Sequence, residues 1–183
     1  MGCIPSKAML ESSELYKLAK SQFVQHGITA GDVQLDLSKM LGRKDQIVSS
    51  LVKGIDGLFR KNKITRYLGK GKLTGPGRVQ VQGTETIDLE AKSIILATGS
   101  VSAPLRGVEL QGDLIGTSTE ALSYPAVPEH LVVIGAGVIG LELGCVWARL
   151  AAKVTVLEYL PRILPGMDSE IVTEAQKILQ KQG

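Results

Sequence analysis

Gly135, Gly137 and Gly140 stand at the spacing of a turn that presents backbone N–H groups to an anion, and Glu158 closes the apolar run that follows. Leu131 to Ile134 reads as a short strand ahead of the glycines. Val138 to Leu150 reads as a helix behind them, and Val154 to Leu157 as a second strand ending at the acid. In that setting each glycine has its own use. Gly135 permits a tight turn, Gly137 lets backbone approach a diphosphate, and Gly140 lets helix and strand pack closely. The helix start, at Val138, Ile139 and Gly140, offers unpaired N–H groups and the positive end of a dipole. A carboxylate at Glu158 can accept hydrogen bonds from both ribose hydroxyls of a dinucleotide. A 2′-phosphate there would meet like charge, so NAD(H) is favoured over NADP(H). Arg162, close by, reads as a solvated loop arginine. The bland alternative for the whole pattern is a glycine-rich βα turn with no ligand.

Composition narrows the classes. The chain has 183 residues, a net charge of +3, 44% hydrophobic residues and 21 glycines, which suits a globular βα protein rich in turns. Aromatic residues make up only 4%, too few for base-stacking platforms, and the basic run Arg60-Lys61-Asn62-Lys63 sits where a helix would end. Nucleic-acid binding is therefore not expected. Nor is a membrane span: the apolar stretch from Leu131 is interrupted by Glu142 and by glycines. No apolar run after Met1 reads as a secretory signal. A cytoplasmic setting, or the mitochondrial matrix for a eukaryotic source, is the expectation.

Cys3 and Cys145 are the only cysteines, with no metal-ligand spacing around either, and no metal is expected. Cys145 falls inside the helix that follows the glycines and reads as a small buried residue. Cys3 precedes Pro5, which can open a helix, and a thiolate just before a helix N-terminus is stabilised by the dipole. The same residues, Gly2 and Cys3, also match a lipid-attachment pattern, so a lipid-anchored protein is a second reading of this end.

These positions need elements to hold them. Ile4 to Gln25 reads as a helix with Leu10, Leu15, Leu18 and Phe23 on its buried side, stopped at Gly27. Leu37 to Lys61 reads as a second helix, carried by Met40, Leu41, Ile47, Val48, Leu51, Ile55 and Leu58. Ile64 to Leu89 has the punctuation of a small antiparallel meander. Ser93 to Leu96 is expected to be a strand running into Ala97-Thr98-Gly99-Ser100. Residues 101–130 look like a connector, and Asp168 to Gln182 opens a last helix.

Three segments in this order, Gly2-Cys3-Ile4-Pro5-Ser6-Lys7, Ala97-Thr98-Gly99-Ser100 and Gly135-Ala136-Gly137-Val138-Ile139-Gly140, resemble the pyridine-nucleotide disulfide oxidoreductases. The Ile-Pro-Ser-Lys form is most similar to the dihydrolipoyl dehydrogenase branch. Mercuric- and glutathione-reductase-like enzymes are neighbouring alternatives, and a non-catalytic NAD-binding module is another. The resemblance implies an α/β, partial FAD/NAD(P)-binding two-domain fold of Rossmann-like type, with helices and the meander in the FAD part. It sets a partial FAD domain at 1–100, a connector at 101–130 and a partial NAD domain at 131–183.

The resemblance also implies roles. Cys3 matches the flavin-proximal cysteine of a redox disulfide, Lys7 a lysine at the flavin's reactive edge, and Glu142 its ion-pair partner, the two forming a buried pair. Thr98 and Gly99 match a loop where backbone meets FAD. On spacing alone, Lys7 and Glu142 would read as solvated charges, and Thr98-Gly99 as a plain turn. The implied cofactors are FAD and NAD. The implied partners are lipoyl-bearing proteins of 2-oxo-acid dehydrogenase or glycine cleavage complexes, and a second copy in a homodimer. The departures are the absence of a first redox cysteine and of a catalytic His–Glu pair. Neither His26 nor His130 sits in a matching motif, and the expectation is an internal segment of such an enzyme, inactive by itself. Ala151 stands where relatives commonly carry glycine, and would be strained if the turn there needs a positive φ.

Overall fold

The computed structural model describes residues 2–111 and 114–183. Met1, and Gly112 and Asp113 within the connector, lie outside the described residues. The elements in chain order are α1 (Cys3–Ser21), a 3-10 turn (Phe23–His26), α2 (Leu37–Lys61), β1 (Lys70–Gly75), β2 (Arg78–Gln82), β3 (Thr86–Glu90), α3 (Ser118–Ala121), β4 (His130–Ile134), α4 (Val138–Arg149), β5 (Lys153–Leu157) and α5 (Ser169–Gln182). They divide into two units, Met1–Ser50 with Pro104–Gly183, and Leu51–Ala103.

In the first unit β4 and β5 pair in parallel, His130 opposite Lys153 and Ile134 opposite Leu157, with α4 as the crossover between them. This is the expected strand–turn–helix–strand. Its helix packs into a core around Trp147, Val146 and Met9, all fully buried, with Leu143, Leu150, Ala152, Met40, Ala121 and Leu122. The Trp147 indole N–H donates to the Ala121 carbonyl at 3.0 Å, so the ring is buried without losing its hydrogen bond. That bond ties α4 to α3, a one-turn helix whose N-terminus is closed by a capping box. Thr117 accepts from the Thr119 N–H, and Glu120 accepts from the Thr117 N–H at 2.6 Å. Two bonds to Glu120 from Thr117 hold its carboxyl below the usual range. The Lys44 ammonium, buried, donates to the Leu122 carbonyl at 3.0 Å and to the Ser123 hydroxyl at 3.1 Å, and pairs with Asp45. An ammonium taken from water needs those partners. A segment read from sequence as a connector is thus part of the core.

The end of α4 explains the strain foreseen at Ala151. The Ala151 N–H donates to the Ala148 carbonyl and the Ala152 N–H to the Trp147 carbonyl, a Schellman arrangement that needs a left-handed residue after the cap. Ala151 takes it, with φ 81.

Helix α1 ends at Ser21 rather than Gln25, and a 3-10 turn finishes at left-handed Gly27. Its buried residues are Ser6, Ala8, Met9 and Ser13, whereas Leu15, expected inside, is 57% exposed. The reason is close packing on α4, which favours the small side chains of α1 at the contact and leaves the leucine beyond it. In α2 the boundaries match the sequence reading, but only Met40 and Lys44 are buried. Leu51, Ile55 and Leu58 keep helical spacing while remaining exposed.

The second unit holds the meander. β2 lies centrally, antiparallel to both neighbours, with Val79 opposite Leu89 and Val81 opposite Ile87, so the apolar residues share one face. Residues 93–96, expected as a strand, form none, and Ile95 is 89% exposed. An apolar run becomes a strand only where a neighbour supplies the ladder, and among the described residues none pairs with it.

Candidate nucleotide and redox site

The β4–α4 turn is built around its glycines. Gly135 has φ 104, a left-handed conformation that a side chain would strain, and its N–H donates to the Leu157 carbonyl at 2.8 Å. A Cβ on Gly140 would lie 2.5 Å from the Gly135 carbonyl oxygen and 2.9 Å from Val133 Cγ1, so only glycine lets α4 sit this close to the turn. Gly137 is the N-cap of α4 and carries no capping side chain; a Cβ there would meet nothing within 4 Å. The first intrahelical bond of α4 runs from the Leu141 N–H to the Gly137 carbonyl. The N–H groups of Val138, Ile139 and Gly140 therefore lack intrahelical acceptors, and Val138 and Ile139 are exposed.

Ala136, between the first two glycines, is fully buried and clamped on both sides. Its N–H donates to Glu158 Oε2 at 2.7 Å, and its carbonyl accepts the Leu164 N–H at 2.9 Å. The other Glu158 oxygen accepts the Leu160 N–H at 2.9 Å. Bonds from the Leu160 and then the Ala136 N–H hold the Glu158 carboxyl below its ordinary range, outweighing desolvation. The acid at the end of β5 thus fastens the glycine turn to the loop after it, leaving further lone pairs on each oxygen. Sequence reasoning missed this engagement, because it runs through backbone N–H groups that no side-chain pattern reports. Arg162 donates to the Met167 carbonyl of its own exposed loop at 3.4 Å.

Helix α1 meets α4 from outside this turn. Cys3 is its first residue rather than the one before it, exposed as a free thiol. Pro5 falls in the first turn, where a missing N–H costs no hydrogen bond. Lys7 Nζ pairs with Glu142 Oε1 at 2.5 Å. The structure brings these two together, but not as the buried pair expected: the Lys7 side chain is 62% exposed and that of Glu142 28%. Further along, Arg149 pairs with Glu14 at 2.6 Å and also reaches the Leu10 carbonyl at 3.4 Å. Cys145 lies half-buried on α4, its thiol pushed up by desolvation. Thr98 and Gly99 belong to the other unit, where they are exposed and irregular; Gly99 has φ 77 with open space around it. Among the described residues, no His, Cys, Asp and Glu cluster could hold a metal, and no helix is long and apolar enough to cross a membrane.

The first unit therefore combines a helix start whose first N–H groups lack intrahelical acceptors, a carboxylate fixed beside it, and an exposed thiol and ammonium on the helix packed alongside. That is a donor set for a dinucleotide and for thiol chemistry. Residues 1–183 match the family described as pyridine nucleotide-disulphide oxidoreductase. The chain is 53% identical over 187 residues to dihydrolipoyl dehydrogenase 3 of Pseudomonas putida, covering 100% of this chain and 40% of that protein. It is 51% identical to the dihydrolipoyl dehydrogenase of Cupriavidus necator, covering 39% of it, and 48% identical to leghemoglobin reductase of Glycine max, covering 35%. The chain thus spans about two fifths of the length of these relatives. The solved structure of LpdA from Mycobacterium tuberculosis shares the fold, with a TM-score of 0.82 at 23% identity over 99% of this chain and 40% of that one.

Proposed function

The chain belongs to the pyridine nucleotide-disulphide oxidoreductase family, and from that premise we propose that its protein is a flavin-dependent dihydrolipoyl dehydrogenase, oxidising protein-bound dihydrolipoyl groups with NAD+. The observation that carries the reading is the geometry of the first unit. A glycine turn locked by Glu158 opens α4, and the thiol-bearing helix α1 is ion-paired to that same α4 through Lys7.

The residues fit NAD(H). The N–H groups of Val138, Ile139 and Gly140 would take its diphosphate, and the space beside Gly137 lets backbone come close. Glu158, held anionic by two backbone N–H groups, would accept from the ribose hydroxyls and repel a 2′-phosphate. In the first unit Cys3 and Lys7 are the residues proposed to meet FAD; in the second unit, taken by itself, Thr98 and Gly99 are the proposed FAD-contacting loop. Cys3 and Lys7 offer a thiol and an ammonium in one helical turn, and left-handed Gly99 leaves its backbone open. When bound, FAD would supply two-electron transfer between a dithiol and NAD+. In this scheme Cys3 gives one sulfur of the redox disulfide. The Lys7 ammonium, paired with Glu142, presents positive potential near Cys3. Lipoyl-bearing proteins and a second copy of the chain are the proposed partners, and a bacterial cytoplasm or mitochondrial matrix the proposed setting.

Formation of NADH from NAD+ and dihydrolipoamide by the FAD-loaded longer protein of which this segment would be part tests the reading. Turnover is expected with dihydrolipoamide and NAD+. Turnover confined to glutathione disulfide and NADPH would overturn it.

A further inference from the structure

Two ion pairs join α1 to α4, and their charges are exchanged. Lys7 on α1 meets Glu142 on α4, whereas Glu14 on α1 meets Arg149 on α4. Each partner of the second pair lies seven residues beyond its counterpart, about two turns at 3.6 residues per turn. The helices therefore run parallel, and both pairs share one register. In the reversed orientation Lys7 would oppose Arg149 and Glu14 would oppose Glu142, so like charges would meet at both ends. A slide by one turn would break both pairs together.

The second pair is the better anchored. The Arg149 side chain is 19% exposed against 62% for Lys7, and its guanidinium also reaches the Leu10 carbonyl. Its Nε is buried with no acceptor among the described residues, so desolvation offsets much of the Coulombic gain. Such a pair contributes more to register than to stability.

We propose that Glu14 and Arg149 are positioning residues: they set the register of α1 on α4 and so hold the Lys7 ammonium against Glu142 at the redox end of the helix. The chemical purpose rests on the functional reading above; the register claim does not.

The test uses the whole chain labelled with nitrogen-15. An ammonium resonance of Lys7, assigned by its loss in Lys7→Arg, reports a lysine held in a hydrogen bond. It is expected in the parent chain and in Arg149→Lys, and expected to vanish in Glu14→Gln and Arg149→Met while the backbone spectrum stays folded. Glu14→Gln replaces a half-exposed group with an isostere, so it carries the test if Arg149→Met unfolds. Persistence of the signal in folded Glu14→Gln, or its absence from the parent chain, would overturn the proposal. NAD+ titrated into the same samples reports on the functional reading separately: a parent chain that shows the Lys7 signal but binds no NAD+ fails that reading and keeps the register claim.

Discussion

Glu158 donates nothing and yet fastens the glycine turn: one of its oxygens accepts the N–H of buried Ala136 at 2.7 Å. The carboxylate proposed to recognise a ribose is also the hinge pin between the turn and the loop from Tyr159 to Met167. On the proposed reading, recognition and local order depend on one ionised group.

That dependence has a pH signature. Glu158 is held below its ordinary value of 4.5 in the folded chain. A depressed folded pKa gives stability that is fully present above the unfolded value and is lost as pH falls through the folded one. Glu158→Gln is therefore expected to be less stable than the parent chain at pH 7, and the gap is expected to close below about pH 4.5. Urea unfolding of both chains from pH 7 down to 3 checks this. A gap that stays constant with pH would contradict it.

Among the described residues of the first unit, Ala151 is one of two non-glycine positions with a positive φ, beside Leu164. Its φ of 81 places an L side chain in the left-handed region, which costs about 1–2 kcal/mol, part of it regained in the unfolded chain by the stiffer alanine. Ala151→Gly is expected to raise stability by about 0.5–1 kcal/mol, seen as a higher Tm in thermal unfolding. A lower Tm would mean that the Schellman turn tolerates alanine without strain.

Gly140 is the reverse case. Any Cβ there meets the Gly135 carbonyl and the Val133 side chain, both well inside contact distance. Gly140→Ala is expected to push α4 off the turn, to weaken NAD(H) binding at least tenfold and to lower Tm. Gly137→Ala meets nothing in the chain itself, so it is expected to weaken binding while leaving Tm nearly unchanged. Calorimetric titration beside thermal unfolding separates the two effects.

The two thiols are expected to differ in reactivity. Cys3 is exposed on the first turn of α1, whereas Cys145 is half-buried and its thiol is pushed up by desolvation, so less of it is thiolate at neutral pH. Iodoacetamide at pH 7.5 is expected to modify Cys3 first, by at least tenfold in rate. Peptide mass mapping over time reads the order, and faster labelling at Cys145 would contradict it.

Much of this was legible in the residues. The strand, three glycines, helix, second strand and acid each stand where the periodicity placed them, because that unit is dictated by local backbone needs and a short-range crossover. The ends of α2 and the meander were readable for the same reason. Residues 93–96 were not, since an apolar run does not say whether a ladder partner exists. The burial of Ser6 and Ser13 and the exposure of Leu15 depend on how closely α1 approaches α4, which no single helix records. Arg149 stands in the last turn of α4. Its pairing with Glu14 becomes visible only once two segments far apart in the chain lie side by side. The Glu158 clamp on Ala136 was hidden because its donors are backbone groups.

The central claim is that this glycine turn binds NAD(H) and that Glu158 rejects the phosphorylated form. Parallel titration of the chain with NADH and NADPH at low salt tests it most directly. Saturable NADH binding is expected, at least tenfold tighter than NADPH, with the preference reduced in Glu158→Gln. Equal affinity for the two nucleotides, or no binding of either by a folded chain, would contradict the account.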